Sequence, residues 1–248
     1  MSDVGGQLRA VATEIQSPQG ERFWVIPLSA VRQFASGASL SLREAEIMAL
    51  QHQVVPSRYQ RNLGTVGWEG QIALLRATIG VVGAGGLGGW IIEGLARMGV
   101  GRLIVVDGDT FEENNLNRQA LCTEHNVGQS KVEAARQRVA RVNAAVEVVT
   151  HHVQADEAQM VRLLCGAQVL VDALDTFPAR LALERAARKL GVPLVHGAIA
   201  GYVGQVMTIF PEDLGLQGLY GSVAVPERGA EVQWGNPAAT PMMVAAWQ

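Results

Sequence analysis

The sequence predicts a doubly wound, Rossmann-like α/β fold with a mainly parallel sheet, preceded by a small N-terminal helical extension. Three observations carry the prediction. From residue 77 onward, short β-branched apolar runs alternate with stretches of helical spacing, the pattern of a parallel sheet covered on both faces. The first run ends in GAGGLG, which puts Gly83, Gly85 and Gly88 in G-x-G-x-x-G register between a strand and a helix. The second run ends in Asp107, roughly twenty residues further on, where doubly wound nucleotide folds carry an acid.

Residues 1–54 read as the extension. FWVIPL marks a short strand, a short helix follows, and ASGASL reads as a loop. SLREAEIMALQ carries Leu42, Ile47 and Leu50 on one helical face behind Ser41, whose hydroxyl suits an N-cap. RYQRNLGTVG, rich in Arg and Gly, reads as a connector. Then ATIGVVG is a strand, GLGGWIIEGLARMG a helix and RLIVVDGD the next strand. VGQSKVEAARQRVARVN is a helix with Val132, Ala135, Val139 and Val142 on its apolar face. VEVVTHHV, AQVLVDALD and VPLVHGAIA are further strands, with helices over 156–165 and 177–190. From residue 211 the pattern weakens and Gly, Pro and Met become prominent. ATPMMVAAWQ reads as a helix cut off at its beginning, so the sequence reads as truncated at its C-terminal end.

At 248 residues, 48% hydrophobic and 17% charged, the chain has the composition of a well-buried globular protein. Its net charge of -3 offers no broad attraction to nucleic acid or to an anionic membrane. Two cysteines, Cys122 and Cys165, make neither a disulfide framework nor a four-cysteine zinc site. MSDVGGQLRA lacks the basic-then-apolar pattern of a signal peptide, and no apolar run reaches the roughly eighteen residues of a membrane span. The expected compartment is the cytoplasm.

Glycines at 83, 85 and 88 permit a tight turn and let backbone N–H groups approach a phosphate at the helix N-terminus. Asp107 is placed to accept from ribose hydroxyls. These features specify a nucleotide site without choosing the nucleotide, and a nicotinamide dehydrogenase fits them equally well. The alternative is a glycine turn used only to pack a helix on a sheet.

Four of the seven aspartates, Asp107, Asp109, Asp172 and Asp175, fall at expected strand ends. Acids converging beside phosphates suit Mg²⁺, which takes carboxylate and phosphate oxygens together. A triphosphate uses that metal and a dehydrogenase does not. Arg118 and Lys131 supply the opposite charge, Arg as a fork and Lys as a point charge. The chain has 18 Arg and two Lys, Lys131 and Lys189, so a lysine at the start of a helix is a marked choice. The competing account is an ordinary i, i+4 partner on the helix surface.

Taken in order, GAGGLG, VDGDTFEENNLNRQ, VGQSKVEAA, VDALDT and HGAIAGYVGQV resemble the ThiF/MoeB/HesA family, the bacterial relatives of ubiquitin-activating enzymes. RYQRNLG at 58–64 resembles the arginine-containing leading segment of that family, and the resemblance covers about residues 55–210. It implies that residues 55–248 are an ATP-binding adenylation domain, acting on the C-terminal carboxylate of a small ubiquitin-like or sulfur-carrier protein ending in Gly-Gly. By motif, Gly86 and Asp107 would meet the adenosine and ribose, Asn115, Arg118 and Lys131 the phosphates, and Asp175 the Mg²⁺. Arg61 resembles an arginine that the family inserts into the partner subunit's site, which implies a homodimer. Bringing two anions together calls for fixed cations and a metal rather than a nucleophilic side chain.

The sequence departs from the family in three places. FPEDLGLQGLYGSV stands where many members carry two CxxC pairs, so no zinc is expected. The loop that holds an acyl-accepting cysteine in some relatives has none here, and Cys122 reads as a small buried hydrophobe. Asp175-Thr176 replaces the usual Asp-Asn, a variant similar to that of tRNA-modifying cyclases, which form the alternative reading. A nucleotide-binding module with weak catalysis is a further alternative. Net acidity and HGAIAGYVGQV favour the carrier-protein reading. The remaining features read as structural: His151, His152 and His196 lack partners at metal-ligand spacing, with His196 a hydrogen-bonded core residue. Trp68 and Trp90 are packing residues, and RQRVAR is a solvated helix face.

Overall fold

The structure is a computed structural model and describes residues 3–16, 20, 22–221 and 229–248. Contacts divide the chain into two compact units. The first is built from Met1–Ala77 with Ala96–Gly101 and Asn143–Glu147, the second from Thr78–Leu95, Arg102–Val142 and Val148–Gln248.

The first unit carries helix α1 (Val4–Ala10), strands β1 (Thr13–Gln16) and β2 (Arg22–Ile26), helices α2 (Leu28–Ala38) and α3 (Leu42–Gln51), strand β3 (Val54–Pro56) and helix α4 (Leu63–Arg76). It contains a three-stranded sheet, β1-β2-β3, besides its helices. FWVI falls in β2 as expected. The small-residue segment ASGA, read as loop, instead closes α2, whose inner residues Val31 and Ala35 are buried. Ser41 caps α3 through a full capping box with Glu44. The connector of the sequence reading is helical on both sides of a break at Gly67, which has φ 67°. Leu63, Trp68, Ile72 and Leu75 gather on Leu50, Val55 and Tyr59, and this burial overrides the low helix propensity of three glycines. Trp68 packs edge-on against Phe23, a structural role as expected.

The second unit is the doubly wound domain. Its strands are β4 (Thr78–Val82), β5 (Arg102–Val106), β6 (Glu147–His151), β7 (Val169–Asp172), β8 (Leu194–Ala200) and β9 (Val203–Ile209). Its helices are α5 (Gly86–Met98), α6 (Lys131–Val142), α7 (Glu157–Leu163), α8 (Phe177–Leu190), α9 (Leu216–Tyr220), α10 (Glu231–Trp234) and α11 (Ala239–Trp247). The sheet order is β6-β5-β4-β7-β8-β9. β4 pairs in parallel with β5 and with β7, so the strand order reverses beside β4 and the crevice for a ligand opens at its carboxyl end. β9 is an antiparallel addition reached through Gly201 (φ 57°) and absent from the sequence reading. One face of the sheet packs against α7 and α8 through Val82, Val106, Met160, Leu164, Leu170 and Leu183. RQRVAR lies on α6 as a solvated face, with Arg136 paired to Glu133 and Arg138 to Glu93.

Candidate functional site

A cavity of about 500 Å³ opens at the carboxyl ends of β4, β5 and β7, wholly within the second unit. Its floor is the glycine loop. Gly83 has φ 97°, and a Cβ there would stand 2.4 Å from the Ala173 carbonyl oxygen, so only glycine lets the loop pass the β7 turn. Gly88 is tighter, since a Cβ would lie 1.9 Å from Gly83 O. It packs the helix onto the loop and does not line the cavity, whereas Gly83, Gly85 and Gly86 do. At Gly85 and Gly86 a Cβ would meet nothing closer than 3.6 Å, which leaves the backbone open to a ligand at the start of α5.

Asp107 closes β5. Its Oδ2 accepts from Ala84 N–H at 2.6 Å and its Oδ1 from Asp109 N–H at 2.8 Å. Burial pushes its carboxyl above the ordinary range, and the Ala84 N–H and the Lys131 charge oppose that shift. Lys131, the first residue of α6, is almost wholly buried and sets its Nζ 2.8 Å from Asp109 Oδ2. Arg118 Nη1 donates to Asn114 O at 2.8 Å and to Asn117 Oδ1 at 2.9 Å. Asp175 is exposed on the cavity wall. Asp172, three residues earlier, is fully buried and stands outside the cavity lining.

The structure thus brings together Gly83, Gly85, Gly86, Asp107, Asp109, Arg118, Lys131 and Asp175 around one cavity. Asn115 and Thr176 stand outside its lining. Asn115 is buried, its Oδ1 accepting from Glu112 N–H, and its neighbour Asn114 lines the cavity instead. Arg61 belongs to the first unit, where it is exposed. Cys122 is buried beside the Glu112 carbonyl and off the cavity, with its thiol pushed up by burial. His196 is fully buried and hydrogen-bonded, as read from its strand. Ser222 and Val223, which end the stretch compared with the zinc pairs, lie outside the described residues.

Sequence reasoning missed Arg180 and Gln119. Arg180, in the first turn of α8, lines the cavity and donates through Nε (3.1 Å) and Nη2 (2.8 Å) to the Leu174 carbonyl. Its position five residues after Asp175 was the available signal. Gln119 lines the cavity with a buried Oε1 that has no partner, an acceptor left for a donor on the ligand. Among the described residues no cluster of three or more His, Cys, Asp or Glu forms a metal site. The exposed wall carboxylate of Asp175 still suits Mg²⁺, which binds through one or two carboxylates and the phosphates of its nucleotide.

A glycine loop between strand and helix, an acid closing the next strand and cations around the cavity are the parts of a nucleotide site in a doubly wound domain. Residues 59–245 match the ThiF family, and the chain belongs to that family. It is 43% identical over 157 residues to the SAMP-activating enzyme E1 of Haloferax volcanii, covering 62% of this chain and 58% of that one. It is 43% identical over 151 residues to the sulfur carrier protein adenylyltransferase of Thermus thermophilus, covering 60% and 56%. The chain therefore spans a little over half the length of these curated relatives. Among solved structures it is similar to the E. coli tRNA N6-threonylcarbamoyladenosine dehydratase TcdA in complex with ATP, with a TM-score of 0.57 and 29% identity over 59% of this chain and 61% of the other.

Proposed function

We propose that this chain catalyses the ATP- and Mg²⁺-dependent adenylylation of the C-terminal Gly-Gly carboxylate of a small ubiquitin-like or sulfur-carrier protein. The observation that carries the reading is the composition of the cavity wall. Arg118, Lys131 and Arg180 face a space that begins at the glycine loop, with the carboxylates Asp107, Asp109, Asp175 and Glu231 on the same wall, and its described lining has no Ser, Thr, Tyr, Cys or His. Such a wall suits a phosphate chain accompanied by a metal ion and has no hydroxyl, thiol or imidazole to form a covalent intermediate.

Adenylylation suits that wall. A carboxylate oxygen attacks the α-phosphorus, one P–O bond forms, the α–β bridging P–O bond breaks, and pyrophosphate leaves with the electron pair. No proton moves. Charge develops on phosphate oxygens, where preorganised cations stabilise the transition state more than the ground state. Gly86 and Asp107 hold the adenosine and ribose, while Arg118 and Lys131 hold the phosphates. Asn115 supports them by fixing the turn that carries Asn114. Asp175 would hold the Mg²⁺, which supplies charge neutralisation on the leaving pyrophosphate.

On this reading residues 55–248 form the adenylating part and residues 1–54 an extension to it. The enzyme works as a cytoplasmic homodimer in which Arg61 serves the partner's site. The curated relatives, named for activating a SAMP or adenylylating a sulfur carrier protein, support a protein substrate. The likeness to TcdA, together with Asp175-Thr176, favours one second reading, a carboxylate on a tRNA base. ATP–pyrophosphate exchange separates them. Exchange stimulated by Gly-Gly-terminated carrier proteins supports the first, and exchange stimulated only by tRNA replaces it with the second.

A further inference from the structure

Behind the metal-bearing turn lies a buried pair for which the proposed reaction has no direct use. Asp172 and His196 are register partners on β7 and β8, and neither is exposed at all. His196 Nδ1 stands 2.7 Å from Asp172 Oδ2, while Asp172 Oδ1 accepts from Leu174 N–H at 2.9 Å. The other ring nitrogen, Nε2, meets Gln205 Nε2 at 3.1 Å, and the same amide nitrogen lies 2.6 Å from the Tyr220 hydroxyl. A carboxylate oxygen accepts, so Nδ1 carries the proton and the imidazole donates to Asp172, while Gln205 contacts the opposite ring nitrogen.

The turn that follows is held on each side. Ala173 lies against Gly83, close enough that a Cβ on the glycine would collide with its carbonyl. The Leu174 carbonyl accepts the two Arg180 donors. The Leu174 N–H goes to Asp172, whose carboxylate is oriented by His196. Asp175 is the next residue, exposed on the cavity. The backbone that carries it is the end of this turn, so what fixes the turn fixes where Asp175 stands.

We infer that His196 is a positioning residue for Mg²⁺ binding: its Nδ1–H orients Asp172, which fixes the Leu174 amide and so holds Asp175 at the cavity. This inference rests on the reading of Asp175 as the metal ligand. Groups that orient metal ligands from behind contribute roughly ten- to a hundredfold to metal affinity, and the same scale applies here.

The test compares His196→Gln, His196→Asn and Asp175→Asn with the unaltered chain. Asn places an amide near the Nδ1 position and keeps a donor for Asp172, while Gln reaches the Nε2 position and loses it. Calorimetry gives the ATP affinity with and without Mg²⁺, a readout that needs no turnover and no carrier protein. His196→Gln is expected to weaken the Mg²⁺-dependent part of ATP binding by about tenfold and to leave Mg²⁺-free binding unchanged. His196→Asn is expected to resemble the unaltered chain. If Asp175→Asn keeps the full Mg²⁺ effect, the metal assignment fails and takes this inference with it. If Asp175→Asn loses the effect and His196→Gln keeps it, only this inference fails. Equal losses in the Gln and Asn variants would mean that bulk, not the donor, matters, and would also overturn it. Nitrogen NMR of the unaltered chain stands independent of any variant's folding: a proton on Nδ1 with bare Nε2 supports the arrangement, and the reverse tautomer overturns it.

Discussion

Lys131 Nζ stands 2.8 Å from Asp109 Oδ2, an ion pair whose cation is almost wholly buried while its carboxylate is half exposed. Gln154 also donates to Asp109, at 2.7 Å. The lysine is thus held over the cavity by a partner that water already competes for, and an arriving phosphate meets a cation fixed in place. Lys131→Ala should lower pyrophosphate exchange by about a hundredfold or more, the scale for losing one preorganised charge at a reacting oxyanion. Lys131→Arg should not restore it fully, because a planar fork does not reproduce the compact point charge of an ammonium held on Asp109. Normal exchange by Lys131→Ala would remove this residue from the reaction.

In the first unit a buried polar network gives a stability prediction with a pH sign. Tyr59 donates to Glu46 Oε2 at 3.0 Å and accepts from Asn143 Nδ2 at 2.9 Å, and Arg58 Nε lies 3.4 Å from Glu46 Oε1. Glu46 and Tyr59 are fully buried. Burial pushes the Glu46 carboxyl above its ordinary value, against the Arg58 charge and the Tyr59 hydrogen bond. An acid whose folded value is raised keeps its proton longer in the folded chain. It favours folding at low pH, and that contribution is lost as pH rises through the raised value. Tyr59→Phe removes a donor to the ionised form and raises the value further. The substitution should cost about 1–3 kcal/mol at pH 7 and less near pH 4. Urea midpoints at the two pH values measure both, and an equal cost at each would mean Glu46 is not ionised in the folded chain.

Much of the doubly wound unit was legible because its signals are local. The glycine register and the strand-end acids each follow from a few adjacent residues, as does the Ser41 cap of α3 in the first unit. What was missed depends on partners distant in sequence. β9 is recognisable only through its antiparallel pairing with β8, since VGQVMTI alternates weakly. α4 contains three glycines and becomes helical by packing on Tyr59 and Leu50. The site shows the same division. Asp107 and Lys131 announce themselves by position and rarity. Asn115, assigned to the phosphates by motif, is buried in its turn, and its neighbour Asn114 lines the cavity. Arg180 was hidden among 18 arginines because only the fold carries the first turn of α8 to the end of β7.

Arg61 gives a test of assembly that does not depend on binding constants. If it serves the partner's site, Arg61→Ala and Asp175→Asn chains are each inactive alone. A mixed dimer then has one intact site, built from the Asp175 of one chain and the Arg61 of the other. Random exchange of subunits in a two-fold dimer should restore about a quarter of normal activity. Sedimentation of the mixture confirms that dimers are present. Dimers that recover nothing would show that Arg61 acts within its own chain, and an Arg61→Ala chain active by itself would remove Arg61 from the reaction.

Arg180 combines two roles that a pair of substitutions separates. Its Nε and Nη2 both donate to the Leu174 carbonyl, one residue before Asp175. The same side chain lines the cavity, where its positive charge faces the space assigned to the phosphates. Lys keeps the charge but offers a single ammonium that cannot reproduce the fork. Gln keeps a hydrogen-bond donor and removes the charge. A residue acting chiefly as a strut for the turn should be impaired by both changes, and the apparent Mg²⁺ requirement should rise in both. A residue acting chiefly as a cation should tolerate Lys and fail with Gln, with kcat falling and the Mg²⁺ requirement steady. The geometry favours the strut, because two donors on one carbonyl leave the guanidinium plane fixed by the turn and not by a ligand. Arg180→Lys is therefore expected to lose about ten- to a hundredfold in exchange at limiting Mg²⁺ and to recover most of it at saturating Mg²⁺. A Lys variant indistinguishable from the unaltered chain at every Mg²⁺ concentration would assign Arg180 to charge alone.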